Sequence, residues 1–383
     1  MMKILHTADL HLGRTLAGHS LERDCQKVLD QLITAVKEHQ PQVLIIAGDI
    51  FDRQTVAQSV VAQFNKFVRK LANETKTALV MIAGNHDARE RIEAMGLWPD
   101  QERVLVRGTA NADEKPLILE DEFGPVAFSG LPYLDEYSAR EIFQDQSISS
   151  PEDILRKQFE AARLNVPENA RWVVVAHTFV SGAQTTEIEQ PLSRVGGIDH
   201  VPGEIFEDAN YVALGHLHKP QNMFKETIRY SGAPLALGFD EAGSRKSFTL
   251  VDIEANGDIE IQEIPVTPLR DLKVVRGSFA EILANLKKSE DFYKIILTDS
   301  EYQIDPAKRL REIVPNFCSL EYERDKPQVD GNNDIYDFGA ELPEPIEVIR
   351  AFIEQVRVEK VKKSEDKLIQ KYLLSLNGKE ELI

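Results

Sequence analysis

Thr77-Ala-Leu-Val-Met-Ile-Ala-Gly-Asn-His-Asp87 is the stretch that decides how this chain is read. Its first six residues are short, apolar and partly β-branched, the pattern of a strand buried on both faces. Gly84 lets the backbone turn sharply where the strand ends, so Asn85, His86 and Asp87 are offered on the loop that follows. An amide, an imidazole and a carboxylate in succession can bind a metal ion and handle a proton, although Gly-Asn alone is ordinary turn chemistry.

The same arrangement recurs on either side. Lys3-Ile-Leu-His-Thr-Ala-Asp9-Leu-His11 is a strand ending in Asp-x-His, and two residues spaced two apart point to one side of an extended chain. Residues 42–47 form a buried strand that runs into Gly48-Asp49. Residues 172–176 deliver His177, and residues 210–214 deliver Gly215-His216-Leu217-His218. Helical periodicity covers 21–39, 56–71 and 152–164, so strands and helices alternate as in an α/β fold. The stripe Val60, Val61, Phe64, Phe67 and Val68 reads as core packing ahead of an exposed interface. Residues 126–133 and 228–234 are further strands, and 248–266 a hairpin with Asn256-Gly257 as a type I′ turn.

Composition narrows the class. A chain of 383 residues buries a full core in two or three domains. No apolar run approaches the roughly 20 residues of a membrane helix, and Met1-Met2-Lys3 leads straight into strand-like Ile4-Leu5, so no signal peptide is expected. Cys25 and Cys318 lack a CxxC spacing, which argues against a disulfide framework or a zinc knuckle. A cytoplasmic protein is expected. The net charge of −18 argues against a general nucleic-acid-coating protein. It leaves open an enzyme that meets DNA at a local cationic site or through a basic partner.

Pro265-Val-Thr-Pro268 reads as a linker. Beyond it, 272–275, 279–286, 293–297, 306–313 and 317–322 predict strand, helix, strand, helix, strand, enough for a small α/β module. Residues 325–345, rich in Gly, Pro, Asn and Asp, are a second linker. Two amphipathic helices, 346–361 and 366–376, close the chain, and helices this short need a surface to dock on, their own or a partner's.

Five strand ends thus carry Asp9/His11, Asp49, Asn85/His86/Asp87, His177 and His216/His218, and ligand sites in open α/β sheets form where strand ends converge. Five of the nine histidines fall there, whereas His6, His19, His39 and His200 do not and receive no site role. Nitrogen and oxygen ligands without thiolate suit manganese, iron or zinc. Seven candidate ligands are too many for one tetrahedral zinc but suit two ions sharing a carboxylate, about 3.5–4 Å apart, which together activate a water and steady attacking and leaving oxygens. Only Asp9 and Asp49 oppose the ions' charge, so the loaded site attracts a phosphate. The inferred reaction is hydrolysis of a phosphoester.

This series of motifs resembles the calcineurin-like metallophosphoesterase superfamily over residues 1 to about 235. Within it the chain is similar to the SbcD family of nuclease subunits, through Asp9-Leu-His-Leu-Gly13, Gly48-Asp-Ile-Phe-Asp52, Leu131-Pro-Tyr133, Gly215-His-Leu-His-Lys219 and Tyr230-Ser-Gly232. The resemblance implies a sandwich of two mixed β-sheets flanked by helices, plus a small α/β capping domain and a C-terminal helix pair. The implied boundaries are 1–268 for the nuclease domain, 269–325 for the cap, 326–345 for a linker and 346–383 for a helix-loop-helix that binds the coiled-coil base of the ATPase SbcC. It places Asp9, His11 and His218 on one Mn2+, Asn85, His177 and His216 on another, and Asp49 between them. His86 would face the scissile phosphate, steadying its charge or protonating the leaving oxygen, with Asp87 orienting or polarising the ring. Archaeal and eukaryotic counterparts usually carry a histidine where this chain has Asp52, so a second phosphate-contacting histidine is not carried over.

The activity implied is a DNA nuclease, a 3′–5′ exonuclease on double-stranded ends and an endonuclease on single strands and hairpins, serving repair, recombination and replication. The partners implied are SbcC, DNA and a second copy of the chain, with the 56–71 stripe a candidate dimer contact. Two rivals remain. A small-molecule phosphodiesterase or protein phosphatase on the same dinuclear site leaves the module and terminal helices without a purpose, and the complete ligand set argues against a non-catalytic scaffold for the ATPase.

Overall fold

A computed structural model of the chain describes residues 1–96, 102–186, 189, 200–325, 346–347, 349–350, 353 and 361–376. The first half lays down β1 (Met2–Thr7), a small hairpin of β2 (Thr15–Leu16) and β3 (His19–Ser20), α1 (Glu22–His39), β4 (Val43–Ala47), α2 (Gln58–Glu74), β5 (Ala78–Ile82), α3 (Arg89–Met95) and β6 (Val104–Arg107). Then come β7 (Leu117–Asp121), β8 (Gly124–Leu131), α4 (Glu136–Phe143), α5 (Pro151–Arg163), β9 (Arg171–His177), β10 (Tyr211–Gly215), β11 (Gln221–Met223), β12 (Lys225–Tyr230), β13 (Lys246–Ile253) and β14 (Ile259–Val266).

These strands form two six-stranded sheets, ordered β14-β13-β1-β4-β5-β6 and β11-β12-β10-β9-β8-β7. Strands β1, β4, β5 and β6 run parallel, as do β8, β9, β10 and β12. By contrast β13 is antiparallel to both β1 and β14, β7 to β8 and β11 to β12, so both sheets are mixed. Side chains of β4 alternate: Val43 and Ile45 face Val173, Val175 and Tyr211 of the other sheet, while Leu44 and Ile46 face Leu32 of α1 and Phe64 of α2. On the far side, Leu155 and Phe159 of α5 pack on Trp172 and Val174. Apolar layers on both faces are why β4 and β5 read as unbroken apolar runs. The expected sandwich flanked by helices is what the chain forms.

Two expectations are corrected. The α2 stripe is core, as its pattern predicts, with Val60, Phe64, Phe67 and Val68 buried against the first sheet and Val61 partly buried on it; the expectation corrected is that it is a candidate dimer contact. The β13–β14 loop spans 254–258, and of the Asn256-Gly257 pair only Gly257 is left-handed, at φ 86°. A type I′ turn needs both. Instead the Gly257 N–H closes on the Glu254 carbonyl at 3.1 Å, and Asn256 Oδ1 accepts from the Asp258 N–H.

Next, β15 (Leu272–Gly277), α6 (Phe279–Asn285), β16 (Phe292–Leu297), α7 (Pro306–Arg311) and β17 (Phe317–Tyr322) build a parallel three-stranded sheet. Ser278 and Glu281 form a capping box on α6, and Phe279, Ile295, Leu297, Leu310 and Phe317 make the core. Arg270 pairs with buried Asp24 of α1, and Leu272 and Phe292 join the outer core of the first sheet. Contacts divide the chain into Met1–Asp325 and Lys326–Ile383. In the latter, α8 (Lys363–Leu376) begins three residues before the expected 366, and Arg350 pairs with its Asp366 at 2.6 Å. The proposed linker 326–345 and most of the helix 346–361 lie outside the described residues. Among the described residues, no helix is long and apolar enough to cross a membrane.

Candidate metal centre

The parallel strands end level with one another, Ala47 of β4 opposite Ile82 of β5 and His177 of β9 opposite Gly215 of β10. The two sheets therefore present the loops after β1, β4, β5, β9 and β10 at one edge of the sandwich. Asp9, His11, Asp49 and His216 all enter that edge at positive φ (53°, 42°, 47° and 107°). Asp9 and His11 are thus not on an extended strand, as their spacing suggested. Each such residue costs about 1–3 kcal/mol and persists only where its surroundings enforce it. Here backbone bonds enforce it, from Asp9 N–H to Gly48 O and from His11 N–H to Asp49 O, both 3.0 Å. Gly84 serves proximity rather than turning, because a Cβ there would lie 2.2 Å from Asp49 Oδ1, and at Gly215 it would lie 1.8 Å from Ala47 O.

All seven expected ligands meet. Atoms of Asp9, His11 and His218 lie within 4.8 Å of one another, as do those of Asp9, Asp49 and His177. Asp49 Oδ2 stands between the groups, 3.4 Å from His177 Nε2 and 3.7 Å from His11 Nε2. Asn85 Oδ1 is 3.0 Å from His177 Nε2 and 3.1 Å from His216 Nδ1. A carbonyl can only accept, so Ala47 O, 2.8 Å from His177 Nδ1, fixes the hydrogen there and turns Nε2 toward Asn85 and Asp49.

The charges do not balance within the protein. Burial drives the Asp9 carboxyl well above its ordinary range, and negative Asp49 adds to the shift. Burial acts likewise on Asp49, but His177, His11 and His86 together outweigh it and lower that carboxyl. Burial pushes His177 down, yet Asp49 and then Asp9 raise it to about 9. His216 falls to about 3 through burial and the neighbouring His177. Both ring nitrogens of His11 and Nδ1 of His218 are buried without a hydrogen-bond partner among the described residues. Buried carboxylates, orphaned imidazole nitrogens and an all-oxygen-and-nitrogen donor set fit a pair of divalent cations.

His86 donates its N–H to Asp49 Oδ1 at 2.9 Å and meets the Asp52 carbonyl with Nδ1 at 2.8 Å, which leaves Nε2 as the nitrogen free to act. Its ring packs edge-on to His11, centroids 4.9 Å apart. The Asp87 carboxylate is directed elsewhere: it accepts from the N–H groups of Ile50 (3.1 Å), Phe51 (2.9 Å) and Gly84 (2.9 Å), lacing the loop after β4 to the loop after β5. Burial and then Asp49 push it up to about 7 despite those amides. Asp52 itself lies 2.8 Å from Arg14 and 3.4 Å from His11 Nδ1. Burial raises its carboxyl, but His11 and Arg14 together bring it well below the usual range. His6, given no site role, is buried between the sheets with Nδ1 on Tyr211 Oη at 2.9 Å.

Three residues at the site escaped the sequence reading. Glu189 and Glu241 approach His218 Nδ1 at 3.2 and 3.9 Å, and Lys246 donates to the His218 carbonyl at 3.1 Å. Glu189 and Glu241 lie at no strand end, Lys246 is the first residue of β13, and none shares a motif with a ligand, so no local signal marks them.

Two family models match the chain, calcineurin-like phosphoesterase over residues 2–220 and type 5 capsule protein repressor C-terminal domain over residues 268–357. The chain belongs to the calcineurin-like phosphoesterase family, and it is a phosphoester hydrolase. More particularly, it is similar to the SbcD component of nuclease SbcCD from Staphylococcus epidermidis (strain ATCC 12228 / FDA PCI 1200), 30% identical over 322 residues, or 83% of this chain and 85% of that one. Two solved structures overlap it more loosely, each 10% identical and covering 70% of this chain. GAP50, the anchor in the inner membrane complex of Plasmodium, is covered over 85% of its length at a TM-score of 0.41. A dimetal phosphatase from Danio rerio is covered over 97% at 0.40. The family assignment rests on the family model and the sequence relative.

Proposed function

We propose that this chain is the nuclease subunit of a DNA-processing complex, cutting phosphodiester bonds with two manganese ions. The observation that carries the proposal is the convergence of seven oxygen and nitrogen ligands at one edge of the sandwich, in a chain similar to a nuclease subunit. Asp9, His11 and His218 would hold one ion and Asn85, His177 and His216 the other, with Asp49 in reach of both groups. Bound there, the ions supply Lewis-acid polarisation of the phosphoryl oxygen and a water acidic enough to attack at neutral pH.

The chain's own groups do the remaining work. The Ala47 carbonyl keeps the His177 ring in the orientation its role needs. His86, with Nδ1 on the Asp52 carbonyl, offers Nε2 to the scissile phosphate or to the leaving oxygen. Asp87 serves that step at one remove, by locking the loops that carry Asp49 and His86.

The same reading assigns 1–268 to the nuclease domain, 269–325 to a cap over the DNA path and 346–383 to docking on the ATPase SbcC. Leu368 and Tyr372, four residues apart on α8 and both exposed, supply an apolar strip for that contact. A basic partner also accounts for DNA binding by a chain of charge −18. In this reading the protein is a cytoplasmic homodimer acting as a 3′–5′ exonuclease and a single-strand and hairpin endonuclease in repair, recombination and replication.

The test sets closed circular single-stranded DNA beside bis(p-nitrophenyl) phosphate, each with Mn2+. Cleavage of the circle supports the nuclease. Turnover of the small diester alone moves the assignment to a small-molecule phosphodiesterase. Loss of DNA cleavage in His86→Gln with both ions retained supports the role of His86, and full activity in that variant removes it.

A further inference from the structure

His218 is held in an unusual way. Its main-chain N–H donates to Glu189, and its carbonyl accepts from Lys246 Nζ at 3.1 Å as well as from the Ala233 N–H at 3.2 Å. Its Nδ1 is buried and lies 3.2 Å from Glu189 Oε1 and 3.9 Å from Glu241 Oε1, without a hydrogen bond of good geometry to either. Glu241 closes the 3-10 turn Phe239–Glu241 and is 2% exposed; it takes the Leu237 N–H at 3.0 Å with one oxygen and Lys246 Nζ with the other. Lys246 opens β13 and is itself 8% exposed.

We infer that Glu241 and Lys246 are positioning residues for His218, a buried ion pair that seats the ring with Nδ1 toward carboxylate and Nε2 toward the metal. The chemistry is directional. An imidazole that ligates through Nε2 must carry its hydrogen on Nδ1, and that hydrogen needs an acceptor. Among the described residues, the carboxylates that approach Nδ1 are those of Glu189 and Glu241. Lys246 ties the two halves of the seat together, since one ammonium reaches both the Glu241 carboxylate and the main chain of His218. A buried ion pair of this kind contributes little net stability, because desolvation offsets its attraction, so placement of the ligand is the simpler account of why it is there. The inference rests on His218 being a metal ligand, as proposed above.

The test titrates the metal-free full chain with Mn2+ by calorimetry, comparing wild type, Glu241→Gln/Lys246→Met and the conservative Glu241→Asp/Lys246→Arg. Removing both charges together avoids leaving either one buried alone. Expected is a loss of about 10–100-fold in affinity at one of two sites, the other unchanged, with recovery in the conservative pair. Equal affinities in all three proteins, or equal weakening of both sites, overturn the inference. Failure of wild type to bind Mn2+ at all overturns the metal reading beneath it. Should the double variant be unfolded, 1H–15N imidazole spectra of wild type decide: His218 protonated on Nδ1 in the metal-free protein supports the seat, and protonation on Nε2 overturns it.

Discussion

The edge of the sandwich that carries the candidate metal ligands and the three-stranded module of β15, β16 and β17 are both parallel sheet capped by short loops, yet what they bury differs in kind. The module encloses Phe279, Ile282, Ile295, Leu297, Leu310 and Phe317, apolar groups that need only volume. The sandwich edge encloses Asp9, His11, Asp49, Asp87, His177 and His218, each under a twentieth exposed. Four of the proposed ligands there also sit at positive φ. Buried charge and left-handed backbone thus coincide at this edge, and the apolar layers on either side of each sheet offset their cost. The edge is therefore shaped to bind something, and the module to fold.

Substitutions can break that contrast. The largest effect is expected from Asp49→Asn, because the Asp49 carboxylate lies within 3.7 Å of both His11 and His177. Hydrolysis of bis(p-nitrophenyl) phosphate should fall by more than the ~10–100-fold typical of groups that only support a ligand. A variant still binding two Mn2+ with wild-type affinity would end the claim that Asp49 is shared.

Next is a matched pair of glycines. Gly84→Ala puts a Cβ 2.2 Å from Asp49 Oδ1, whereas at Gly277 in the module the nearest atom is 3.6 Å away. The first should lose about 100-fold in turnover, as misplaced catalytic groups do. The second should leave it unchanged. Similar values for both would mean the edge is not under the steric constraint described.

A third variant reverses the direction. Leu310→Ala empties part of the module core, which should destabilise it by about 2–5 kcal/mol in urea titrations. Turnover of the small diester by protein that remains folded should stay at the wild-type value. A parallel loss of turnover would couple the two regions.

The smallest effect lies away from both. Buried Arg171 opens β9 and pairs with half-buried Asp121 of β7. Burial raises the Asp121 carboxyl, but Arg171, the Phe123 N–H and the amino terminus together outweigh it and hold it at about 2. An acid whose pKa is depressed by folding stabilises the protein above its unfolded value, about 3.9, and loses that contribution as pH falls through its folded value. Wild type should therefore lose stability between about pH 4 and pH 2, and Asp121→Asn should flatten that part of the profile. An unchanged profile would assign the acid sensitivity to the metal edge instead.

Much of the fold was legible locally. The runs around Val43–Ala47, Ala78–Ile82 and Tyr211–Gly215 are buried strands because nothing in them can face water. The module's strand-helix order was legible for the same reason. What escaped was whatever depends on a partner remote in sequence. The α2 stripe reads as core from its pattern, but only the sheet beneath it removed the rival reading as a dimer contact. The partners of Asp87 are backbone amides, which carry no sequence signal. Glu241 and Lys246 reach His218 from 23 and 28 residues away with no motif between.

By itself the sequence determined which side chains stand at the ends of which strands, because apolar runs and their polar terminators are written in consecutive residues. Only the tertiary structure decided which atom each side chain turns toward the others. Ring orientation, left-handed backbone and the choice of acceptor arise from contacts between segments up to some two hundred residues apart, as in the bond from His216 N–H to Asp9.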